Sequence, residues 1–502
     1  MIIGTSEMTS NIDNACVKEL GIPMIVMMEN AVHSAIKNIE LSKYKKFTIV
    51  CGTGNNGGDG LGIARHIYVR GGEVYVFIIG KEEKLSECSE INYSILKNMD
   101  INVSFINSDK EEGLNDLAES IKSSDAVIDC IFGTGLKREI KGIYRDAVEL
   151  MNKHSKYTYA IDIPSGIKSD SGDILGVAVK ADKTISFEFF KRGFLNYSAD
   201  GYTGEIVVEG INVPVEIKNK FHNNEFITER KEVSTLIKKR EKNAHKGNFG
   251  KVNIIAGSKG FYGAACIAAQ SSLKMGSGLV TLITYPEAQD ILAMKMTEVM
   301  TRNLSEEKRV SDILRNSSAL GIGPGMGNNE ETYKVLERVL NEVSCPVVID
   351  ADAISVLEGR KDIIKNCKKE ILITPHPGEI SRITGKSIKE INSDRINIAK
   401  EAAKELSSIV LLKGNRTIIT DGERVYVNPT GNSAMANGGM GDCLTGIITS
   451  LAGYKIPLFE AAVSGAYIHG LAGDILSKEK YSVNAGDIMK ILPELMKKLS
   501  EE

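Results

Sequence analysis

The stretch KKFTIVCGTGNNGGDG, residues 45–60, places a short apolar segment directly before a glycine-rich turn. Gly52, Gly54 and Gly57 follow the spacing G-x-G-x-x-G, which lets the backbone approach a pyrophosphate at the start of a helix. A strand, a glycine turn and a helix in this order predict an α/β fold. The turn also carries two asparagines and an aspartate, although a plain pyrophosphate cradle needs no side chains. It therefore raises the question of whether a dinucleotide binds here as a cofactor or as a substrate.

On both sides of this turn, the first half of the chain alternates strand-like with helix-like segments. FTIV, EVYVFII, NVSFI, AVIDCIF and YAIDI are typical of strands, whereas LGIARHIYVRGG and GLNDLAESIKSS have helical spacing. Strands that alternate with helices predict a mainly parallel sheet covered on both faces. We expect a Rossmann-like doubly wound domain.

A second α/β series follows a highly charged stretch that runs from about residue 215 to residue 248. Its strand candidates are KVNIIAG, GLVTLIT, SALGIG, PVVIDA, EILITP, SIVLLKG and RTIITD. Helical segments such as ETYKVLERVLNEV separate them, and no internal repeat of fixed period is visible. We place the boundary near residues 216–226 and expect two unrelated α/β domains, at residues 1–218 and 226–502.

The composition is that of a globular protein: 502 residues, 42% hydrophobic and 25% charged. A formal net charge of −3 favours neither nucleic acid nor an acidic membrane surface as a partner. The eight cysteines form no C-x-x-C pair, which fits reduced thiols and a cytoplasmic location. The sequence shows no signal peptide and no charge-free apolar run of the roughly 20 residues that a membrane span needs.

A hydride-transferring Rossmann domain also needs an acidic residue at the end of its second strand, where it binds the ribose. Here that strand ends in VFIIGKEEK, and Phe77 and Ile78 stand where the acid is expected. This departure disfavours a dehydrogenase.

Two further loops follow strand-like segments and carry polar side chains. AVIDCIFGTGLKRE contains Asp129 and a second glycine loop, and YAIDIPSGI contains Asp162 and Ser165. Because ligands of an open parallel sheet gather beyond the carboxyl ends of its strands, all three loops point to one crevice. Asn56, Asp129 and Ser165 offer oxygen atoms of the kind that a hard cation takes. Such a cation would leave Asp162 free as an acid–base group.

The segments NNGGDG, D-x-x-x-GTGLKRE and DIPSG together resemble the NAD(P)H-hydrate epimerase family, and MMENA (27–31) resembles its opening helix. The resemblance spans about residues 20–210. It implies a potassium ion on Asn56, Asp129 and Ser165. It also implies that the hydrated dinucleotide binds to Asn55, Asn56, Gly57, Gly58, Asp59, Gly133, Thr134, Gly135, Leu136, Lys137, Arg138, Glu139 and Asp162.

The signature of the second half is NGGMGDCLTG, residues 437–446, in which glycines lead into a helix. Exposed N–H groups at such a helix start can stabilise a transferring phosphoryl group. Asp442, in the first turn, can take the proton of an attacking hydroxyl. The alternative, that Asp442 only caps the helix, is disfavoured by the glycines before it.

Three other segments fit a nucleotide site. LLKGNRT places Lys413 and Thr417 after an apolar strand, GIGPGMG (321–327) is a further glycine turn, and ITPHPGE places His376 between two prolines. His376 has no assignment from its position alone. No Walker A sequence is present, which excludes a P-loop enzyme.

The G-x-G-D arrangement resembles ribokinase-like enzymes. Together with HKGNFGKVNIIAGS, VIDADAI, TPHPGE, LLKG and NPTGN it resembles the ADP-dependent NAD(P)H-hydrate dehydratase family over about residues 230–500. The resemblance implies that the hydrated dinucleotide binds to Ala264, Ala265, Gly325, His376 and Asp442. It implies that the nucleotide binds to Lys413, Gly414, Asn415, Arg416, Thr417 and Gly441. Ser433 and Ala434 replace a usual Pro-Gly pair, and Asn437 and Met440 replace usual hydroxyl residues, which puts two hydroxyl contacts in doubt.

The two resemblances imply a bifunctional metabolite-repair enzyme. It would interconvert the R and S forms of hydrated NADH and NADPH, with Asp162 handling the proton. It would dehydrate the S form at the expense of ADP, giving AMP and phosphate, with Asp442 as the base. We expect K⁺ in the first domain, Mg²⁺ with the ADP, and a homo-oligomer. Two alternatives stay open: an NAD-dependent oxidoreductase fused to a small-molecule kinase, and a non-catalytic nucleotide-binding or scaffold protein.

Overall fold

The computed structural model describes residues 1–107 and 111–502 and divides the chain into two compact units, Met1–Asn223 and Asn224–Glu502. The division lies within the charged stretch that the sequence marks as the boundary region. This stretch also contains a short strand and two short helices, which its lack of apolar periodicity does not predict.

Unit 1 (Met1–Asn223) is an α/β domain. Its strands are β1 (Ile3–Gly4), β2 (Lys46–Cys51), β3 (Glu73–Ile79), β4 (Val103–Ile106), β5 (Ala126–Cys130), β6 (Thr158–Ile161), β7 (Lys183–Phe187), β8 (Phe190–Lys191) and β9 (Glu205–Glu209). Its helices are α1 (Ser6–Lys18), α2 (Met24–Asn38), α3 (Asn55–Val69), α4 (Glu87–Asn98), α5 (Glu111–Ser123), α6 (Ile143–His154) and α7 (Val215–Phe221).

Seven of these strands form one parallel sheet in the order β4-β3-β2-β5-β6-β7-β9. The central strands β5 and β6 are wholly buried, as expected for parallel strands covered on both faces. The strand order reverses between β2 and β5. Such a switch point opens a crevice at the carboxyl ends of the strands, and the loops after β2 and β5 both begin there.

Helix α3 lies unusually close to the sheet because glycines fill its inward face. A side chain at Gly60 would place its Cβ 2.7 Å from the sulfur of Cys51 and 2.8 Å from that of Cys130. At Gly62, the Cβ would come within 2.6 Å of Val32 on α2. The glycine run that predicts a phosphate turn therefore also sets the packing distance of the helix.

A two-stranded parallel sheet ties the first residues of the chain to the region after β7. Ile3 pairs with Phe190 and Gly4 pairs with Lys191. The side chain of Thr5 then caps α1 by accepting a hydrogen bond from the N–H of Met8. Strands of two residues show no period, so the sequence does not predict this pairing.

Unit 2 (Asn224–Glu502) is built around one mixed sheet. Its strands are β10 (Glu225–Ile227), β11 (Lys251–Ile255), β12 (Leu279–Thr284), β13 (Met300–Asn303), β14 (Ala319–Ile322), β15 (Val347–Ile349), β16 (Ile371–Ile373), β17 (Ile409–Leu412), β18 (Ile418–Thr420) and β19 (Val425–Val427). The ten strands lie in the order β10-β19-β18-β17-β16-β15-β14-β11-β12-β13, and only β18 runs antiparallel to its neighbours.

The helices of this unit cover the sheet. They are α8 (Arg230–Leu236), α9 (Tyr262–Lys274), α10 (Pro286–Lys295), α11 (Glu307–Arg315), α12 (Glu330–Glu342), α13 (Asp352–Ser355), α14 (Asp362–Lys365), α15 (Pro377–Thr384), α16 (Ile388–Ser393), α17 (Arg395–Leu406), α18 (Met440–Gly453), α19 (Leu458–Leu476) and α20 (Ala485–Glu501). Helix α18 is buried from Cys443 to Gly453, and most of α19 is buried with it, which explains the apolar composition of both.

Two expectations from composition can be compared with the structure. All eight cysteines lie in the described part of the chain, and none of them forms a disulfide. Among the described helices, none combines the length and the apolar character that crossing a membrane requires.

Candidate active sites

A cavity of about 730 Å³ opens in unit 1 beside the switch point of the sheet. Ten of the thirteen predicted substrate residues line it: Asn55, Asn56, Asp59, Gly133, Thr134, Gly135, Leu136, Lys137, Arg138 and Asp162. Helices α1 and α2 and the segment after β7 contribute further lining residues, among them Asp13, Met28, Phe187 and Lys191. The three loops that the sequence assigns to one crevice therefore meet in one cavity.

Three predicted substrate residues do not line this cavity. A Cβ on Gly57 would lie 1.9 Å from the carbonyl oxygen of Gly52, so this glycine lets the turn close on itself. Gly58 abuts the side chain of Met28 in the same way. Glu139 is exposed and pairs with Lys141 at 3.1 Å. In this structure, the two glycines shape the turn and Glu139 points to solvent.

Asp129, on β5, joins the loops after β5 and β6, and neither it nor Ser165 is among the residues that line the cavity. Its carboxylate accepts hydrogen bonds from the Ser165 hydroxyl (2.6 Å), the Ser165 N–H (2.7 Å) and the Ile131 N–H (3.2 Å). Burial raises the pKa of Asp129 to about 6, although these three bonds act in the opposite direction. The Ser165 hydroxyl oxygen accepts a further bond from the N–H of Phe132 (2.8 Å). The pair therefore fixes the second glycine loop against the strand ends.

Asn56 is the third residue of the predicted cation site. Both atoms of its side-chain amide are buried, and neither makes a hydrogen bond with any described residue. A Cβ on Gly133 would lie 3.4 Å from Asn56 and 3.6 Å from an Asp162 oxygen, so the two glycine loops approach each other here. A buried amide without a partner is costly unless a ligand satisfies it.

Asp162 has a left-handed backbone conformation, with φ 67°. For a residue other than glycine this conformation is strained, and such strain is concentrated at functional sites. Its carboxylate forms an ion pair of 2.8 Å with the Lys191 ammonium, which is 1% exposed. Lys191 also donates to the carbonyl of Phe187 (2.8 Å). The sequence interpretation missed Lys191, although a lysine within the aromatic run SFEFFKRGF is a signal for it.

Three more carboxyl groups line the cavity, those of Asp13, Asp59 and Glu188. Burial raises the pKa of Asp13 to about 6; the negative charge of Asp162 adds to the effect, and Lys191 opposes it. Burial, Asp162 and Asp13 raise the pKa of Asp59 well above its usual range. The sequence interpretation missed Asp13, because it lies in a helix that carries no recognisable motif.

In unit 2, the glycine signature forms the start of α18. Gly439 caps the helix with φ 89°, and Asp442 lies in the first turn, beside the N–H groups that have no partner within the helix. Burial raises the pKa of Asp442 to about 6; Asp350 and Asp352 add to the effect, and Lys413 opposes it. A carboxyl of this kind is suited to accept a proton near neutral pH.

Asp350 is a buried carboxylate close to Asp442. It pairs with the Lys413 ammonium at 2.8 Å and accepts hydrogen bonds from the hydroxyls of Thr374 (2.8 Å) and Thr445 (2.7 Å). Burial alone would raise the pKa of Asp350, but Lys413 and the two hydroxyls outweigh it and hold this pKa below its usual value. The segment VIDADAI contains this residue, but the sequence alone predicts no role for it.

The Lys413 ammonium is therefore bound to the Asp350 carboxylate instead of projecting freely from its loop. Its Nζ also lies 3.9 Å from Glu379 and 3.5 Å from the position of a Cβ on Gly441. The structure thus brings together Lys413, Gly441 and Asp442. In the rest of the predicted nucleotide loop, Asn415 is exposed, Arg416 has φ 55° and the Thr417 hydroxyl donates to the carbonyl of Gly414 (2.9 Å).

The predicted substrate residues of unit 2 lie at two further helix starts. A Cβ on Gly325 would lie 3.1 Å from that of Ala264, which is half-buried, whereas Ala265 is fully buried. Of the two alanines, Ala264 is therefore the one that a ligand can reach. His376 caps α15 through Nδ1, which accepts from the N–H of Gly378 (2.9 Å), so that Nε2 carries the ring proton. Burial and Lys413 lower the pKa of His376.

The positions at which the sequence departs from the usual dehydratase pattern have structural roles. Asn437 donates its amide to the carbonyl of Val483 (2.7 Å), and Met440 is 8% exposed within the main core of unit 2. Ser433 and Ala434 belong to a short 3-10 helix, Ser433–Met435. The first-turn N–H groups of α18 do not depend on any of these side chains.

Family models match most of the chain. A model described as YjeF-related protein N-terminus matches residues 24–193, and one described as NAD(P)H-hydrate dehydratase matches residues 252–494. Each match contains one of the two sites. Helix α1, with Asp13, lies before the first match.

Two relatives that match along most of their length carry the same description. A bifunctional NAD(P)H-hydrate repair enzyme from Moorella thermoacetica is 35% identical over 100% of this chain and 98% of its own length. The enzyme of the same description from Escherichia coli is 30% identical over 91% of this chain and 86% of its own.

Solved structures resemble about half of the chain. A ribokinase-like superfamily protein from Enterococcus faecalis has a TM-score of 0.52 and 27% identity, and it covers 56% of this chain and 99% of its own. An ADP/ATP-dependent NAD(P)H-hydrate dehydratase from Bacillus subtilis, co-crystallised with ATP and Mg²⁺, has a TM-score of 0.50 and 29% identity over 54% of this chain and 98% of its own. The ribokinase-like fold expected for the second half is confirmed.

Proposed function

Since this chain belongs to the bifunctional NAD(P)H-hydrate repair enzymes, we propose that unit 1 interconverts the epimers of hydrated NADH and NADPH and that unit 2 dehydrates one of them. The observation that carries the proposal is Asp442. It is a carboxyl with a raised pKa, in the first turn of a glycine-led helix, beside Lys413 and Gly441. This arrangement suits phosphoryl transfer to a hydroxyl.

The reaction of unit 2 solves a leaving-group problem. The hydroxyl on the reduced nicotinamide ring leaves poorly, so it first attacks the terminal phosphorus of the nucleotide, and its proton passes to Asp442. The bond to the bridging oxygen breaks, and the nucleotide departs one phosphate shorter. The ring nitrogen then expels phosphate, and loss of a proton from the adjacent carbon restores the dihydropyridine. First-turn N–H groups of α18 stabilise the transferring phosphoryl group.

The phosphate donor is a nucleotide bound over the loop from Lys413 to Thr417 and the N–H of Gly441, with Mg²⁺ on its phosphates. The co-crystallisation of the Bacillus subtilis relative with ATP and Mg²⁺ supports the use of a nucleotide together with Mg²⁺. ADP is the donor that the sequence resemblance implies. Ala264, Gly325 and the Nε2 hydrogen of His376 face the hydrated dinucleotide. The ion pair of Lys413 and Asp350 fixes the floor of this site.

In unit 1, the dinucleotide occupies the cavity along the two glycine loops, with Asp162 as the group that handles the proton. Lys191 balances the charge of this carboxylate and orients it. The orphaned amide of Asn56 fits a cation beside Asp129 and Ser165, because its oxygen lacks any other partner among the described residues. K⁺ bound there would supply a fixed positive charge for the diphosphate. A cytoplasmic location and a homo-oligomer stay predictions.

The test mixes the purified protein with a racemic hydrate of NADH, Mg²⁺, K⁺ and either ADP or ATP, and follows the absorbance band of NADH. We expect complete conversion with one nucleotide or both. Asp442→Ala should recover no NADH. With Asp162→Ala, conversion should stop once the epimer that unit 2 accepts has been consumed. Absence of NADH formation by the wild type would refute the dehydratase, and full conversion by Asp162→Ala would refute the role of Asp162.

The two alternative functions predict other outcomes in the same mixture. An oxidoreductase fused to a kinase would oxidise NADH with a carbonyl substrate and would phosphorylate an alcohol. A non-catalytic binding protein would leave the hydrate unchanged, with or without either aspartate.

A further inference from the structure

Helix α1 brings one ionisable group into the cavity of unit 1. The pairing of Ile3 and Gly4 with Phe190 and Lys191 places the start of α1 beside the strand that carries Lys191. Ser6, the first residue of the helix, is held by both carboxylate oxygens of Asp170, at 2.6 Å each. Ile12 and Cys16 bury the inner face of α1. These contacts fix the start and the inner face of α1, and Asp13 lines the cavity.

Asp13 has no hydrogen bond or ion pair with any residue that the structure describes, and this is unusual for a carboxyl in a cavity wall. Lys191, the nearest cation, is already bonded to Asp162 and to the Phe187 carbonyl. Among the carboxyl groups that line the cavity, Asp162 and Asp13 therefore differ in their surroundings. Asp162 has a cation as its partner, whereas Asp13 lies in a setting that favours its neutral, proton-donating form.

We infer that Asp13 is the general acid of the epimerase, working with Asp162 as the base. The inference rests on the proposed function of unit 1 and adds a second catalytic residue to it. A pair of carboxyl groups in opposite protonation states is the arrangement that acid–base chemistry on one carbon requires.

The step balances within the substrate, water and these two groups. The ring nitrogen donates its lone pair, the bond between carbon and the hydroxyl oxygen breaks, and the proton of Asp13 converts the departing hydroxyl into water. The planar iminium ion is then attacked by water from the other face. The new carbon–oxygen bond forms, the attacking water passes a proton to Asp162, and the electron pair returns to nitrogen. Exchange with solvent restores both carboxyl groups, and nothing is oxidised.

The test measures epimerisation alone. Asp162→Asn, supplied with nucleotide, consumes the epimer that unit 2 accepts and leaves the other one pure. This epimer is repurified and given to wild type, Asp13→Asn and Asp13→Glu without nucleotide, so that the dehydratase is idle. Chromatography follows the appearance of the second epimer. We expect Asp13→Asn to slow it by about 10²-fold or more, and Asp13→Glu to retain a larger part of the rate.

A pH profile separates catalysis from support of the fold. The groups around Asp13 are Asp59 on α3, Asp162 after β6, Lys191 on β8 and Cys16 on its own helix. A carboxyl that must be neutral gives a wild-type rate that falls as pH rises through about 6. Asp13→Glu should keep such an alkaline limb and Asp13→Asn should lose it. A merely structural residue would change the rate at every pH alike.

Each outcome decides one question. If the wild type does not interconvert the epimers, the proposed function of unit 1 fails. If the wild type does so and Asp13→Asn keeps its rate within threefold with an unchanged profile, the role of Asp13 fails alone. If Asp59→Asn removes the alkaline limb and Asp13→Asn does not, the acid is Asp59 and the inference is overturned. Asp116→Asn, an exposed carboxyl on α5, is the matched control and should behave as wild type.

Discussion

The two sites contain the same pair of elements in different roles. Each has a lysine–aspartate ion pair of 2.8 Å and, beside it, a carboxyl whose pKa burial raises to about 6. In unit 1 the paired carboxylate, Asp162, lines the cavity. In unit 2 the paired carboxylate, Asp350, is held by two threonine hydroxyls as well, and its side chain is only 2% exposed.

This difference shows how one ion pair can serve opposite purposes. A lysine that is the main partner of a reachable carboxylate balances its charge and holds it in position, as Lys191 does for Asp162. Lys413 instead belongs to a full set of partners around Asp350 and holds its negative charge in place. This fixed charge adds to the burial that raises the pKa of Asp442. In the proposed mechanisms, the base is therefore the paired aspartate, Asp162, in unit 1 and the aspartate beside the pair, Asp442, in unit 2.

The largest difference between the two sites is expected for Asp442→Asn. It should lower dehydration by roughly 10³–10⁴-fold, because the attacking hydroxyl loses its base, and should leave interconversion of the epimers at the wild-type rate. Recovery of NADH and chromatography of the hydrates measure the two activities. The exposed Asp290→Asn on α10 is the control. Residual dehydration above one tenth of the wild-type rate would contradict the assignment of the base.

The second prediction separates the two lysines. Lys191→Met leaves Asp162 with one weak donor, the N–H of Phe187 at 3.3 Å, whereas Lys413→Met leaves Asp350 with both threonine hydroxyls. Removing one partner of a buried pair costs about 3 kcal/mol of unfolding free energy or more. We expect the larger loss in unit 1, measured by denaturant unfolding of the full chain. Equal losses would mean that the threonines do not stabilise Asp350.

The third prediction concerns pH, where the two sites should respond in opposite directions. Asp442 works ionised, so dehydration should fall about tenfold per unit as pH drops below about 6. Asp13 works neutral, so epimerisation should fall about tenfold per unit as pH rises above about 6. Separate assays of the two activities over the same buffers test this. Two limbs on the same side of pH 6 would show that the two carboxyls have the same role.

The same pKa shifts predict a change in stability. The folded-state pKa of each carboxyl lies above its ordinary value of 3.8, so the neutral form favours folding. This stabilisation is complete below pH 3.8 and is lost as pH rises through about 6. At pH 7, Asp13→Asn and Asp442→Asn should therefore be at least as stable as wild type in thermal unfolding. A lower Tm for either would mean that its carboxylate stabilises the fold.

The smallest effect on activity is expected at Met440, which stands where the dehydratase pattern usually has a hydroxyl residue. Because Met440 is buried in the core, Met440→Thr should lower stability by roughly 1–3 kcal/mol and should change the KM for nucleotide less than twofold. Met294→Thr, at an 81% exposed methionine, is the control. A tenfold gain in nucleotide affinity would show that the hydroxyl is functionally missing.

The sequence was most informative where function follows a local pattern. Asn56, Asp129 and Ser165 each lie at or just beyond the end of a recognisable strand, so a parallel sheet predicts them at one edge, and hydrogen bonds join Asp129 to Ser165. Asp13 and Lys191 are different, since they meet Asp162 only through a pairing of two-residue strands. Such a contact depends on tertiary packing and leaves no period in the sequence. The assignment of each residue to a ligand remains a proposal.

The glycines that let α3 approach the sheet also affect its cooperativity. Four of its first eight residues are glycine, and each costs about 1 kcal/mol of helix propensity relative to alanine. The first two turns of α3 therefore depend on docking against the sheet and α2 for their order. Their amide hydrogens should therefore exchange faster through local opening than those of α2, which contains no glycine. A dinucleotide bound to this turn would close it, so that part of its binding energy is used to order the helix that holds it.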